Sequence, residues 1–307
     1  HFYNPRRIIF VSKPEVLDRI CRLIQFWDIS ESNCWNVVFI NEYTALDSVL
    51  GENSRNLLER IYNTPGNNKT DCTPSIDPLK VTKREFGWWY QQIIKLGISI
   101  AVPDISKHYV VWDCDLIPLK RWPLFMRNNV VDDVLNNDNG HNLDLNAVPT
   151  VAVLQKNGKP GAFELYCDTL KCTLNIEPVS PQAGGTFVTH HMVFNRQILN
   201  KFLDTISHNC QDLPWPIAIM QISNDHPRWS EYLCYSSFAS RTEFKNTINF
   251  HPFDKYGLHG ERKRDGTTFV KDVLNVIFNN HIPNGGYSIK NIKTLLSHMY
   301  CESASNK

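Results

Sequence analysis

Apolar residues recur along this chain in two rhythms. RIIFVSK (7–13) and WNVVFINE (35–42) are short, nearly unbroken runs rich in β-branched and aromatic residues, the pattern of strands buried on both faces. Between them, PEVLDRICRLIQFW (14–27) places Val16, Leu17, Ile20, Leu23 and Ile24 at helical spacing. Pro14 falls near the first turn, where a missing N–H costs nothing. Strand, helix and strand in that order predict a parallel pair and an α/β fold.

The rhythm continues with interruptions. Residues 63–80, containing NTPGNNKTD, are polar and rich in turn formers, and read as a loop. GWWYQQIIKLGISI (87–100) reads as a helix with a crowded aromatic start, followed by a strand and its exit in YVVWDCDLIPL (109–119). Residues 127–149 are a second polar excursion. TVAVLQ (150–155) predicts a strand, FELYCDTLKCTL (163–174) a helix, and 184–206 a strand running into a helix. Helices are also predicted over 214–223, 229–240 and 267–280, with a basic segment, LHGERKRDG, at 258–266. No internal repeat, G-x-G-x-x-G motif or P-loop is present, and no linker divides the chain.

Composition narrows the function classes. The chain has 307 residues, 42% hydrophobic and 21% charged, with a net charge of +1. That balance gives no broad basic surface for nucleic acid. No apolar run approaches the roughly 18–20 residues needed to span a bilayer. The nine cysteines lack CxxC spacing, so structural zinc and a disulfide framework are not expected; mostly reduced, buried thiols are, in a cytoplasmic rather than a lumenal setting. The first residue is His1 and a strand-like run follows almost at once, as in a piece of a longer polypeptide.

Asp113 and Asp115 close the apolar run YVVWDCD. Strand residues i and i+2 point the same way, so both carboxylates could project into one crevice at a carboxyl strand end, where open α/β sheets bind ligands. Two adjacent carboxylates repel unless a proton or a cation lies between them. Manganese or magnesium would resolve this and could also hold a diphosphate. The competing reading is a turn before Pro118 with no ligand.

Four ordered motifs carry a resemblance: GWWYQQIIKLG, YVVWDCDLIPLKRW, TFVTHHMVFNRQIL and WSEYLCYSSF. Together they resemble bacterial and viral D-x-D glycosyltransferase-like proteins, which carry a G-W-x-x-Q-Q helix, a strand ending in D-x-D, an F-V-x-H-H-M strand and an S-E-Y helix. The likeness spans about 84–260. It departs where this chain has SEYLCYSSF and relatives tend toward E-Y-x-x-Y-G. The resemblance implies a Rossmann-like glycosyltransferase A-type fold with a central, mostly parallel sheet flanked by helices. It implies one catalytic domain over 1–307, with 1–120 mainly binding the nucleotide sugar and 121–307 mainly binding the acceptor.

Roles follow from that resemblance. Asp113 and Asp115 would hold Mn2+ or Mg2+ as Lewis acid on the donor diphosphate, with His259 as a third ligand and His251 as its alternative. Lys263, between Arg262 and Arg264, would close over the diphosphate. Glu231, preceded by the potential cap Ser230, would serve as general base, which predicts inversion; in a retaining enzyme it would orient the site instead. His191 or His190 would face the pocket, with His191 preferred. Arg84, Trp89, Gln92 and Gly185 complete the donor-binding candidates, although Trp88 and Trp89 also read as core. The donor would be a nucleotide sugar, UDP-linked by analogy with the fold, and the acceptor a glycan or glycoconjugate hydroxyl. Two other classes stay open: a metal-dependent nucleotidyl- or phosphotransferase, and a nucleotide-sugar-binding module without turnover.

Overall fold

The computed structural model describes residues 7–26, 36–64, 85–113, 116–118, 124–127, 130–133, 147–154, 162–179, 187, 191–226, 228–253 and 257–259. The fold is mixed α/β, with eight helices among the described residues and small sheets of two to four strands. The chain divides into two compact units: one holds Tyr3–Val111 and Pro123–Phe253, the other Trp112–Trp122 and Asp254–Lys307.

The larger unit opens as the apolar pattern predicts. β1 (Arg7–Ser12) and β2 (Asn36–Asn41) pair in parallel from Arg7↔Asn36 to Ser12↔Asn41, joined through α1 (Pro14–Phe26). Pro14 opens the helix, and the Lys13 carbonyl accepts from the Val16 and Leu17 amides. Arg7 reaches Asp104 with both terminal guanidinium nitrogens, each at 2.7 Å.

Residues 42–63 hold helices that the apolar pattern did not announce. These are α2 (Asp47–Leu50) and α3 (Ser54–Asn63). Asn53 enters α3 in the left-handed region, at φ 63°. The Asp47 carboxylate then accepts from the Ser54 amide at 3.1 Å and the Ser54 hydroxyl at 2.6 Å. An acidic side chain from the preceding helix thus satisfies an orphan donor of the next.

α4 (Phe86–Ala101) is the central helix, with Phe86, Trp89, Tyr90, Ile93, Leu96 and Gly97 among its buried residues. Gly97 lets Leu46 and Trp215 lie against its backbone. Next come β3 (His108–Trp112), β4 (Leu116–Pro118), β5 (Phe125–Arg127), β6 (Val130–Asp133) and β7 (Ala147–Leu154). β4 belongs to the smaller unit. The remaining elements are α5 (Ala162–Leu174), β8 (His191–Asn195), α6 (Arg196–Asn209), α7 (Trp215–Ile222), α8 (Glu231–Arg241), β9 (Asn249–Phe253) and β10 (Gly257–His259).

The expected polar excursion over 127–149 is in part a sheet. β5 pairs antiparallel with both β6 and β7, and β9 joins β7 in parallel, giving the order β6-β5-β7-β9. The VVDD run is too short and too acidic to declare a strand alone; pairing to β5 makes it one. The predicted helix over 267–280 lies outside the described residues.

The core gathers around β8, whose five residues are all buried, and which pairs with β3. Phe194 meets Tyr235 edge-on at 4.7 Å, and Phe202 packs edge-on against Phe238 at 5.6 Å. Each such ring pair contributes about 0.5–1.5 kcal/mol beyond area burial. Among the described cysteines, Cys21, Cys167, Cys210 and Cys234 are free thiols, as expected, but only Cys234 is buried. Cys172 is engaged in a disulfide, which an expectation of mostly reduced thiols allows. No helix among the described residues is long and apolar enough to cross a membrane.

Candidate functional site

In the smaller unit, Asp113 directly follows β3 and is half-buried. Asp115 lies outside the described residues. The chain resumes at Leu116 as β4, and β10 runs antiparallel to it, pairing Gly257 with Pro118, Leu258 with Ile117 and His259 with Leu116. The backbone of His259 is therefore held opposite the residue that follows Asp115. Leu258 and His259 open the basic segment 258–266, yet with Gly257 they form a strand because β4 supplies a hydrogen-bonding edge. His251, the alternative ligand, lies in the larger unit, where β9 places it opposite Ala152 of β7. Among the described residues there is no group of three or more His, Cys, Asp or Glu side chains able to hold a metal.

The larger unit contains a buried polar cluster between α4 and α8. Ser230 caps α8, its hydroxyl accepting from the Leu233 amide at 3.3 Å. Glu231 then occupies the first turn, where the exposed N–H dipoles favour a negative charge. Its residue is 2% exposed. Lys95 Nζ donates to Glu231 Oε1 at 2.8 Å and to the Tyr232 hydroxyl at 3.4 Å. The ammonium also stands 4.9 Å from the Tyr232 ring centre, within cation–π range. Gln92, buried at 5% exposure, presents its amide to the same carboxylate, and with the NH2 turned inward it donates to both oxygens.

Other candidates divide clearly. Trp89 is fully buried in the core, edge-on to Trp88 at 5.6 Å, with no surface left for a donor. That matches the packing reading of the doublet and removes Trp89 from a donor-facing wall. His191 opens β8 and is buried at 5% exposure. Arg84, Gly185, His190, Arg262, Lys263 and Arg264 lie outside the described residues.

Lys95 follows the G-W-x-x-Q-Q motif and Tyr232 stands in the S-E-Y motif, neither with an assigned role. Lys95 sits three residues beyond Gln92, so helical spacing could have placed both on one face. What was missing was the carboxylate: Glu231 meets Lys95 across 136 positions of sequence.

A comparison with family models, curated proteins and solved structures found no match for the chain.

Proposed function

We propose that this protein is a metal-dependent glycosyltransferase of the A-type fold, which moves a sugar from a nucleotide-diphosphate donor, UDP-linked by default, to a glycan or glycoconjugate hydroxyl. The observation that carries the reading is the β4–β10 register, which brings His259 opposite the residue after the D-x-D. Two carboxylates and an imidazole are a donor set that manganese accepts. Asp113, Asp115 and His259 would hold the ion. Bound there, the metal would supply Lewis-acid stabilisation of the departing nucleoside diphosphate. The β1–α1–β2 parallel unit supports a nucleotide-binding half.

Glu231 enters the proposal as general base on one condition. Its carboxylate is 2% exposed and already bridges to Lys95 at 2.8 Å. An acceptor hydroxyl reaches it only if the α4–α8 contact opens. Without that opening, the same carboxylate orients the site, as expected of a retaining enzyme, or of a module that binds donor without turnover. Its burial is the specific observation favouring those alternatives.

The test is a thermal-shift panel of UDP-, GDP- and TDP-sugars, each with and without manganese. Ligand bound only by the native state raises its apparent stability. The expected result is a shift for one nucleotide that needs metal, is lost in Asp115→Ala and is weakened in His259→Ala. A shift that persists unchanged in Asp115→Ala would overturn the metal assignment. Pyrophosphate release from a nucleoside triphosphate would favour a nucleotidyltransferase. Donor binding without transfer in any acceptor mixture would favour the binding module.

A further inference from the structure

We infer that the contact between His108 and Asn195 is a pH-sensitive latch, in which neutral His108 adds a bond between the start of β3 and the start of α6 that its protonation breaks. The polarity of the contact is fixed by the helix cap. Asn195 is the N-cap of α6, and its Oδ1 accepts from the Gln197 amide at 2.9 Å. That leaves its Nδ2, a donor, facing His108 Nε2 at 3.2 Å. Two donors cannot share this bond, so Nε2 must be bare and the ring neutral, with its proton on Nδ1. An imidazolium would set N–H against N–H.

The latch joins more than two residues. The Asn195 amide donates to the Tyr235 hydroxyl at 2.9 Å, which ties in α8, the helix that Glu231 begins. The Arg196 amide donates to the Lys107 carbonyl at 2.9 Å, and its guanidinium to the Ile105 carbonyl at 2.8 Å. The Phe125 ring meets the imidazole edge-on at 5.3 Å.

The groups around the imidazole do not welcome a charge. Lys107 repels a proton on it, and the neighbours that meet the ring, Asn195 and Phe125, carry no charge to offset one. Burial and Lys107 both lower the affinity of His108 for a proton below its ordinary value. The sign follows directly. As pH falls through about 6.5 the unfolded chain takes up the proton first, so stability present above that pH is lost as pH falls through the folded-state value. β3 leads straight into Asp113, so acid loosens the strand that precedes the D-x-D.

The first measurement is of the wild-type ring nitrogens by long-range proton–nitrogen spectroscopy across a pH series. It should show Nε2 bare, Nδ1 protonated, and titration below about 6.5. Thermal midpoints give the second. From about pH 7.5 to 5.5, wild type should lose roughly 2–4 °C more than His108→Gln, whose amide oxygen can accept from Asn195 but does not titrate. Asn195→Asp should invert the behaviour, because a carboxylate accepts from both the Gln197 amide and an imidazolium; His108 would then titrate above its ordinary value. A wild-type ring that titrates at or above about 6.5 would overturn the latch, as would an equal acid loss in His108→Gln.

Discussion

Lys95 and Glu231 form a 2.8 Å ion pair between the middle of α4 and the first residue of α8, with side chains only 10% and 3% exposed. Charges so far from water are costly unless each has its counter-ion and its remaining hydrogen-bonding positions filled. Gln92 and Tyr232 supply those positions. The pair therefore fixes how two helices meet, whatever chemistry the carboxylate performs.

Removing both members should cost less than the two single removals added together. Lys95→Met or Glu231→Gln alone should destabilise the fold by about 3–5 kcal/mol, because each strands a buried partner. Lys95→Met combined with Glu231→Gln should lose clearly less than the sum of the two single changes. Urea unfolding of the four proteins in the cycle measures this. Strict additivity would mean that the pair is not coupled.

Gly97 lies inside a helix, where alanine is ordinarily better by about 1 kcal/mol. Here a methyl group would run into the end of Leu46 and touch Trp215, and Leu46 is itself fully buried. Overpacking of this kind costs about 1–3 kcal/mol. Gly97→Ala should therefore be neutral to destabilising rather than stabilising. A raised denaturation midpoint would show that Leu46 has room to swing aside.

Ser230 holds the first turn of α8 through the Leu233 amide. Ser230→Ala should cost about 1 kcal/mol, and Ser230→Thr should recover most of it, since either hydroxyl can accept that bond without bringing a second charge beside Glu231. Chemical denaturation of both variants checks the ordering. Equal losses would place the role of Ser230 in its burial rather than in the cap.

Some of this could be read directly from the sequence, and the reasons are local. β1, α1 and β2 declare themselves because every residue that defines them lies within its own element: Ile8, Ile9 and Val11 in one strand, Val37, Val38 and Ile40 in the next. α3 carries Leu57, Leu58 and Ile61 at helical spacing but no local start signal. Its start depends on Asp47 reaching Ser54 from the preceding helix and on the left-handed turn at Asn53, neither of which has a strong local signature. β5, β6, β9 and β10 are three to five residues long; β9 and β10 exist through partners found far along the chain, and β5 and β6 through each other and β7. The site divides the same way. Asp113, Glu231 and the Ser230 cap are visible as motif residues. Lys95 looks like any helical surface lysine until the fold buries it against a carboxylate that the sequence places in a different helix.

The β4–β10 pairing also sets a clock. Leu116 cannot meet His259 until the ribosome has made the chain at least that far. At ordinary elongation rates of about 5–20 residues per second, that is a wait on the order of ten seconds or more. Throughout that interval β4 presents backbone donors and acceptors without its later mate, the kind of edge that recruits another chain. A nascent protein stalled before Gly257 would keep the D-x-D segment but lack the strand that pairs beside it, and should be the form most prone to aggregate.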